Sequence, residues 1–152
     1  MKNLIAKLSY RYPNINFKIG DKFYWSPESS TVFYEISDSN QTDSWTLLHE
    51  TAHALLGHKN YKTDLELVKM ELEAWSKAKL LCRDYDITID NDYIEDCLDS
   101  YRDWLHQRST CPMCNMRSLQ NDSSHYQCFN CKHIWKVSTS RMCRPYRLSV
   151  TK

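Results

Sequence analysis

The feature that most restricts this chain is the string His49-Glu50-Thr51-Ala52-His53, set in an apolar run with helical spacing. Histidines at i and i+4 stand about 40° apart around a helix axis, so both imidazoles can reach one metal ion. Glu50 projects beside them, where a carboxylate can take a proton from water. His49, His53 and Leu56 share one face, while Leu47, Leu48 and Leu55 can anchor the helix in a core. The chain must therefore build a helix that is buried along one side and still offers two imidazoles and a carboxylate to a cleft.

A catalytic zinc takes three protein ligands and keeps a fourth position open. No histidine follows at the offset that would complete HExxHxxGxxH, and His58 comes after the helix stop expected at Gly57. Glutamates on the next helical segment supply the candidates. Glu71 and Glu73 lie 18 and 20 residues after His53. Two positions on a helix differ by about 200°, so only one of them can face the metal. Glu73 is taken as the third ligand, with Glu71 as the alternative.

A second metal pattern lies near the C-terminus. Cys111-Pro112-Met113-Cys114 and Cys128-Phe129-Asn130-Cys131 are separated by 13 residues. Two such knuckles give four tetrahedral thiolates, and the segments around residues 125–127 and 133–137 read as short strands. This is a zinc-ribbon signature with a closed, structural site. His133 is a lesser candidate ligand. The module is too small for an independent core, so metal binding should fold it. Of the seven cysteines, Cys82 and Cys97 fall among apolar helical positions and read as core. Cys143 lies in a basic tail with no evident partner.

The remaining chain suggests an α+β fold. An N-terminal helix precedes two or three antiparallel strands, the last over residues 31–36. The His-Glu helix should run from about Trp45 to Leu56, capped by Asp43 or Ser44 and stopped by Gly57. Thr63-Asp64-Leu65-Glu66 is a capping-box pattern opening a long helix to about Arg83. A further helix follows Asp90 or Asn91, with Ile94, Cys97, Leu98, Tyr101, Trp104 and Leu105 on one stripe. Residues 1–108 and 109–152 are the expected domains. Their charges differ: 13 Lys+Arg against 18 Asp+Glu in the first, seven basic residues against Asp122 alone in the second. A basic module of this kind can make weak contact with nucleic acid or an acidic surface. No apolar stretch reaches the roughly 18 residues that span a bilayer, and a cytoplasmic location is the expectation.

The string from His49 to His58, followed by Glu71-Leu72-Glu73-Ala74-Trp75, resembles the ImmA/IrrE-type metallopeptidases, which show HExxHxxLxH and then an ExEA segment. The Glu-Ala step is similar to that of thermolysin-like gluzincins. The resemblance covers roughly residues 1–83 and departs at Trp75 and Lys77, where many members have Asn and Phe, which keeps Glu71 open. It implies a zincin-like core with His49, His53 and Glu73 as ligands of a catalytic zinc and Glu50 as general base. It also implies a protein substrate, often a transcriptional repressor, held as an added strand along a sheet edge. The run from Thr31 to Ile36 is the candidate edge. His58, Tyr34 and Tyr61 are candidate donors to the oxyanion, with nothing in the sequence to choose among them. Two other readings stand beside this one. A SprT-like protease acting on DNA-bound proteins would need a distant third histidine, and His106 is the next after His58. A non-catalytic zinc-binding adaptor would have no reason to retain Glu50.

Overall fold

The computed structural model describes residues 1–36, 40–138 and 146–150, so Cys143 lies outside the described residues. Among these the chain is α+β, with four helices and two small sheets. It divides into two compact units: Met1–Asn60 with Met70–Asn91, and Tyr61–Lys69 with Asp92–Lys152. No described helix is long and apolar enough to cross a membrane.

The first unit opens with α1 (Lys2–Arg11), which buries Leu4 and Leu8, one turn apart on the same face. Three strands follow: β1 (Asn16–Ile19), β2 (Tyr24–Ser26) and β3 (Thr31–Tyr34). Their spatial order is β1-β3-β2, with β1 parallel and β2 antiparallel to β3. Two of the strands are antiparallel as expected, but β1 is parallel to β3, and residues 31–34 are the middle strand rather than the expected edge. The cause lies in composition. Thr31 and Val32 are fully buried, whereas β1 and β2 contain no buried residue and tolerate the edges. Tyr24 stacks on its register partner Phe33 with ring centroids 4.6 Å apart. Ser30, at φ 47°, turns β2 back along β3.

Helix α2 (Gln41–Leu56) packs on β2 and β3. It starts earlier than expected, because Asn40 is the N-cap and Asp43 reaches back to the Asn40 N–H at 3.2 Å. Gly57 ends it in the left-handed region at φ 67°, as the glycine suggested. Helix α3 (Asp64–Asp84) begins where Thr63 Oγ1 accepts the Glu66 N–H at 3.2 Å, while the Glu66 carboxylate accepts from the Lys62 N–H at 2.7 Å.

The second unit contains the first residues of α3, helix α4 (Asn91–Ser109), and strands β4 (Leu119–Gln120), β5 (His125–Gln127), β6 (Ile134–Val137) and β7 (Arg147–Ser149). The strands form one antiparallel sheet in sequence order. Thus the boundary expected after Arg108 does not coincide with the division in the structure. A buried polar knot explains why. Arg108, 2% exposed, meets Asp64 with Nε to Oδ2 at 2.6 Å and Nη2 to Oδ1 at 3.1 Å. Tyr126 donates its hydroxyl to the same carboxylate at 2.6 Å, and Trp135 donates its indole N–H to the Arg108 carbonyl at 2.9 Å. Arg108 also donates to the Ser138 carbonyl and lies over the Trp104 ring at 4.5 Å. These bonds tie α4 and the start of α3 to the four-stranded sheet.

Removing one partner of such a pair strands the other charge without water. Arg108→Ala is expected to cost about 3–5 kcal/mol, read as a lowered denaturant midpoint. An apolar pair, Asp64→Leu with Arg108→Met, should recover a large part of the loss. Equal destabilisation by the single and double variants would show that the charge pairing is not what matters.

Candidate metal centres

The first centre is built on the facing sides of α2 and α3. Leu47, Leu48, Thr51 and Ala52 are fully buried and fix the inner side of α2, and Thr51 bonds back to the Leu47 carbonyl at 2.8 Å. His49 and His53 sit at the margin of this surface, 6% and 8% exposed. On α3, Glu71, Ala74, Trp75 and Ala78 form one buried stripe at helical spacing. Trp75 stacks on the His49 ring, with centroids 4.1 Å apart.

The expected third ligand is corrected at this point. It is Glu71 whose carboxylate meets the two histidines, because Glu71 is on the buried stripe and Glu73 is turned outward. Glu73, with 46% of its side chain exposed, lies beside His58 instead, Oε2 to Nε2 at 3.4 Å. The Nε2 atoms of His49 and His53 are 3.1 Å apart. Glu71 Oε2 is 3.2 Å from His49 Nε2, and Glu71 Oε1 is 3.7 Å from His53 Nε2. Zinc bonds of about 2.0–2.1 Å in a tetrahedron put ligand atoms about 3.3–3.4 Å apart. The His49–His53 and His49–Glu71 separations lie close to that value, and one ligand atom from each of the three residues falls within 4.8 Å of the others. Glu71 Oε2 is buried beside the His49 ring nitrogen, and a buried carboxylate is costly unless a positive charge pairs with it, as a cation there would. Burial pushes the Glu71 carboxyl up, but the hydrogen bonds and charge of His49 and His53 outweigh it and hold it well below the usual carboxylate range. Two imidazoles and one carboxylate therefore fit a metal ion with an open position.

Glu50, half-buried, points toward the sheet and accepts the Trp25 backbone N–H at 2.8 Å. The strand β2 that carries Trp25 lies at an edge of its sheet. Trp25 also donates its indole N–H to the His58 carbonyl at 2.9 Å. Neither Trp25 contact was evident in the sequence. Of the three candidate oxyanion donors, His58 is next to His53. Its pKa is lowered by burial and by His53, with Glu73 opposing. Tyr34 lines a separate hollow of about 490 Å³ with Met1, Lys2 and Ile5. Tyr61 belongs to the second unit, as does His106, which is not among the converging ligand atoms.

In the second centre the four expected cysteines come together, with all ligand atoms within 4.8 Å of one another. Cys111 Sγ is 3.6 Å from Cys131 Sγ, and Cys114 Sγ is 3.4 Å from Cys128 Sγ. Zinc–sulfur bonds of about 2.3 Å predict edges of about 3.8 Å, so the cluster could hold zinc with a slight expansion. Backbone N–H groups of Cys131 and Asn130 draw the Cys128 thiol down to about 6. Beneath the cluster, Tyr126, Trp135 and Val137 form a small apolar core with Cys111 and Cys128, and the two rings stack at 5.5 Å. His133 is not in the cluster; its Nε2 meets Ser149 Oγ at 3.1 Å. Cys82 is buried, and burial raises its thiol to about 11, whereas Cys97 is only half-buried.

Compared with protein-family models, curated proteins and solved structures, the chain matches none. The geometry of the two centres is thus the ground for any functional reading.

Proposed function

We propose that the chain is a zinc-dependent peptide hydrolase, with His49, His53 and Glu71 as metal ligands and Glu50 as general base. The observation that carries this reading is the convergence of two Nε2 atoms and a buried carboxylate at distances close to the edges of a zinc tetrahedron. The chemistry a bound zinc supplies there is polarisation of a carbonyl and a lowered pKa of water. Glu50 accepts the proton of the attacking water and returns it to the leaving amine. The ImmA/IrrE resemblance stays part of the reading, with the third ligand moved to Glu71 and a DNA-binding regulator as the class of substrate. The four-cysteine module and its basic surroundings would serve recognition rather than chemistry.

With β3 in the middle of its sheet, the strand that would hold an extended substrate moves to β2. Trp25 on that strand donates its backbone N–H to Glu50, so a peptide added along β2 would lie close to Glu50. The test compares wild type with Glu50→Gln in a cell lysate, looking for a protein shortened only by wild type. On that protein Glu50→Gln should lower kcat by about 10²–10⁴-fold while both metals stay bound. Cleavage by Glu50→Gln at the wild-type rate would remove Glu50 from the mechanism, and one zinc per wild-type chain would remove one of the two centres.

A further inference from the structure

The His53 ring makes a second contact on the side away from Glu71. Its Nδ1 lies 2.9 Å from Nδ1 of His58. His58 Nε2 in turn lies 3.4 Å from Glu73 Oε2. Three side chains thus stand in line behind one metal-ligand atom. We propose that His58 and Glu73 form an outer relay that fixes the tautomer and ring orientation of His53, making both of them positioning residues. The inference rests on the metal-site reading above and adds two residues to it.

The proton positions follow from the donor and acceptor inventory. Two Nδ1 atoms at 2.9 Å need one proton between them, since a neutral imidazole has one donor and one acceptor nitrogen. His53 Nε2 faces Glu71 and His49 Nε2, so a metal there requires its lone pair. The His53 proton is then on Nδ1 and is donated to His58. His58 must accept at Nδ1 and therefore carries its own proton on Nε2. That N–H has Glu73 as its acceptor. Each group determines the state of the next, and the carboxylate at the end makes only one arrangement favourable.

The backbone holds His58 in place for this role. Gly57 in its left-handed conformation turns the chain, letting the His58 N–H bond to the His53 carbonyl at 3.0 Å. The His58 carbonyl accepts the Trp25 indole at 2.9 Å, and its side chain is 9% exposed. His49 has no equivalent: its Nδ1 is buried without a hydrogen-bond partner among the described residues. The relay therefore acts on one ligand of the three. It also gives Glu73 a function, although its carboxylate does not reach the ligand cluster.

The test uses the full chain loaded with zinc. Long-range ¹H–¹⁵N spectra of the histidine rings should show His58 protonated on Nε2 and His53 on Nδ1. His58 protonated on Nδ1 would overturn the relay. Chelator competition with zinc alone gives a second readout. Glu73→Ala, at a half-exposed position that is safe for folding, should weaken the His-Glu site by about 10–100-fold. His58→Ala should do the same, and the four-cysteine site should be unaffected in both. Glu73→Gln retains an acceptor oxygen for His58 and should come closer to wild type than Glu73→Ala. Wild-type affinity in both alanine variants would refute the relay while leaving the metal site intact. Failure of wild type to bind a second zinc would instead refute the site itself.

Discussion

Glu71→Gln is expected to leave one zinc per chain, at the cysteines, where wild type binds two. Glu73→Gln should still bind two. The amide is nearly the size of the carboxylate, so the buried stripe of α3 is undisturbed and the difference isolates the charge. Two imidazoles alone place no negative charge around a dication, and an amide oxygen is a poor zinc ligand. The loss of affinity should exceed the roughly 10–100-fold that removing an outer hydrogen-bond partner costs. Hydrolysis of any substrate found by the lysate comparison should disappear with the metal. Metal analysis of the purified variants decides the matter. Two zincs in Glu71→Gln with one in Glu73→Gln would return the third ligand to Glu73.

The choice between those glutamates shows what the sequence could and could not reveal. Counting from His53 does not separate 18 residues from 20. The apolar stripe does: Ala74, Trp75, Ala78, Leu81 and Cys82 are buried, and Glu71 falls on the same stripe while Glu73 does not. Leu72 and Leu80, both apolar and substantially exposed, blurred that stripe. The elements themselves were legible because their signals are local: the i, i+4 histidines, Gly57 as a helix stop, Thr63 as a cap, paired CxxC knuckles. Strand order was not. Nothing in residues 14–34 states that β3 inserts between β1 and β2, since that depends on which strand is most stabilised by burial on both sides. The polar knot was also out of reach, because Asp64, Arg108 and Tyr126 are brought together from three separate elements. Trp25 was missed for the same reason. Its partners, Glu50 and the His58 carbonyl, are 25 and 33 residues away.

The other large effect is expected at the ribbon. Cys128→Ser, or removal of zinc by a strong chelator, should unfold the four-stranded sheet and expose Trp135, seen as a red shift and quenching of its fluorescence and as new protease cuts beyond Ser109. Among the described residues the apolar core at the sheet is small: Tyr126, Trp135 and Val137 with Cys111 and Cys128, and Cys114 packed against them. Against that small core, zinc binding at four thiolates contributes an apparent 10–16 kcal/mol or so, comparable with the whole stability of a typical domain. Cys128 is the severe choice because it is fully buried, and its Sγ contacts Cys114. A serine hydroxyl there is a poor zinc ligand. Protons compete for the same thiolates, so the zinc affinity of wild type should fall as the pH is lowered. The damage should extend to α4, because losing the sheet removes the Tyr126 hydroxyl and the Ser138 carbonyl from the Asp64–Arg108 pair. A buried pair stripped of its additional hydrogen bonds is a net liability, so helical signal should decline together with Trp135 burial. A ribbon that stays folded without metal, with Trp135 still buried, would mean that the apolar core suffices and that the cysteines are not its fold-determining contacts.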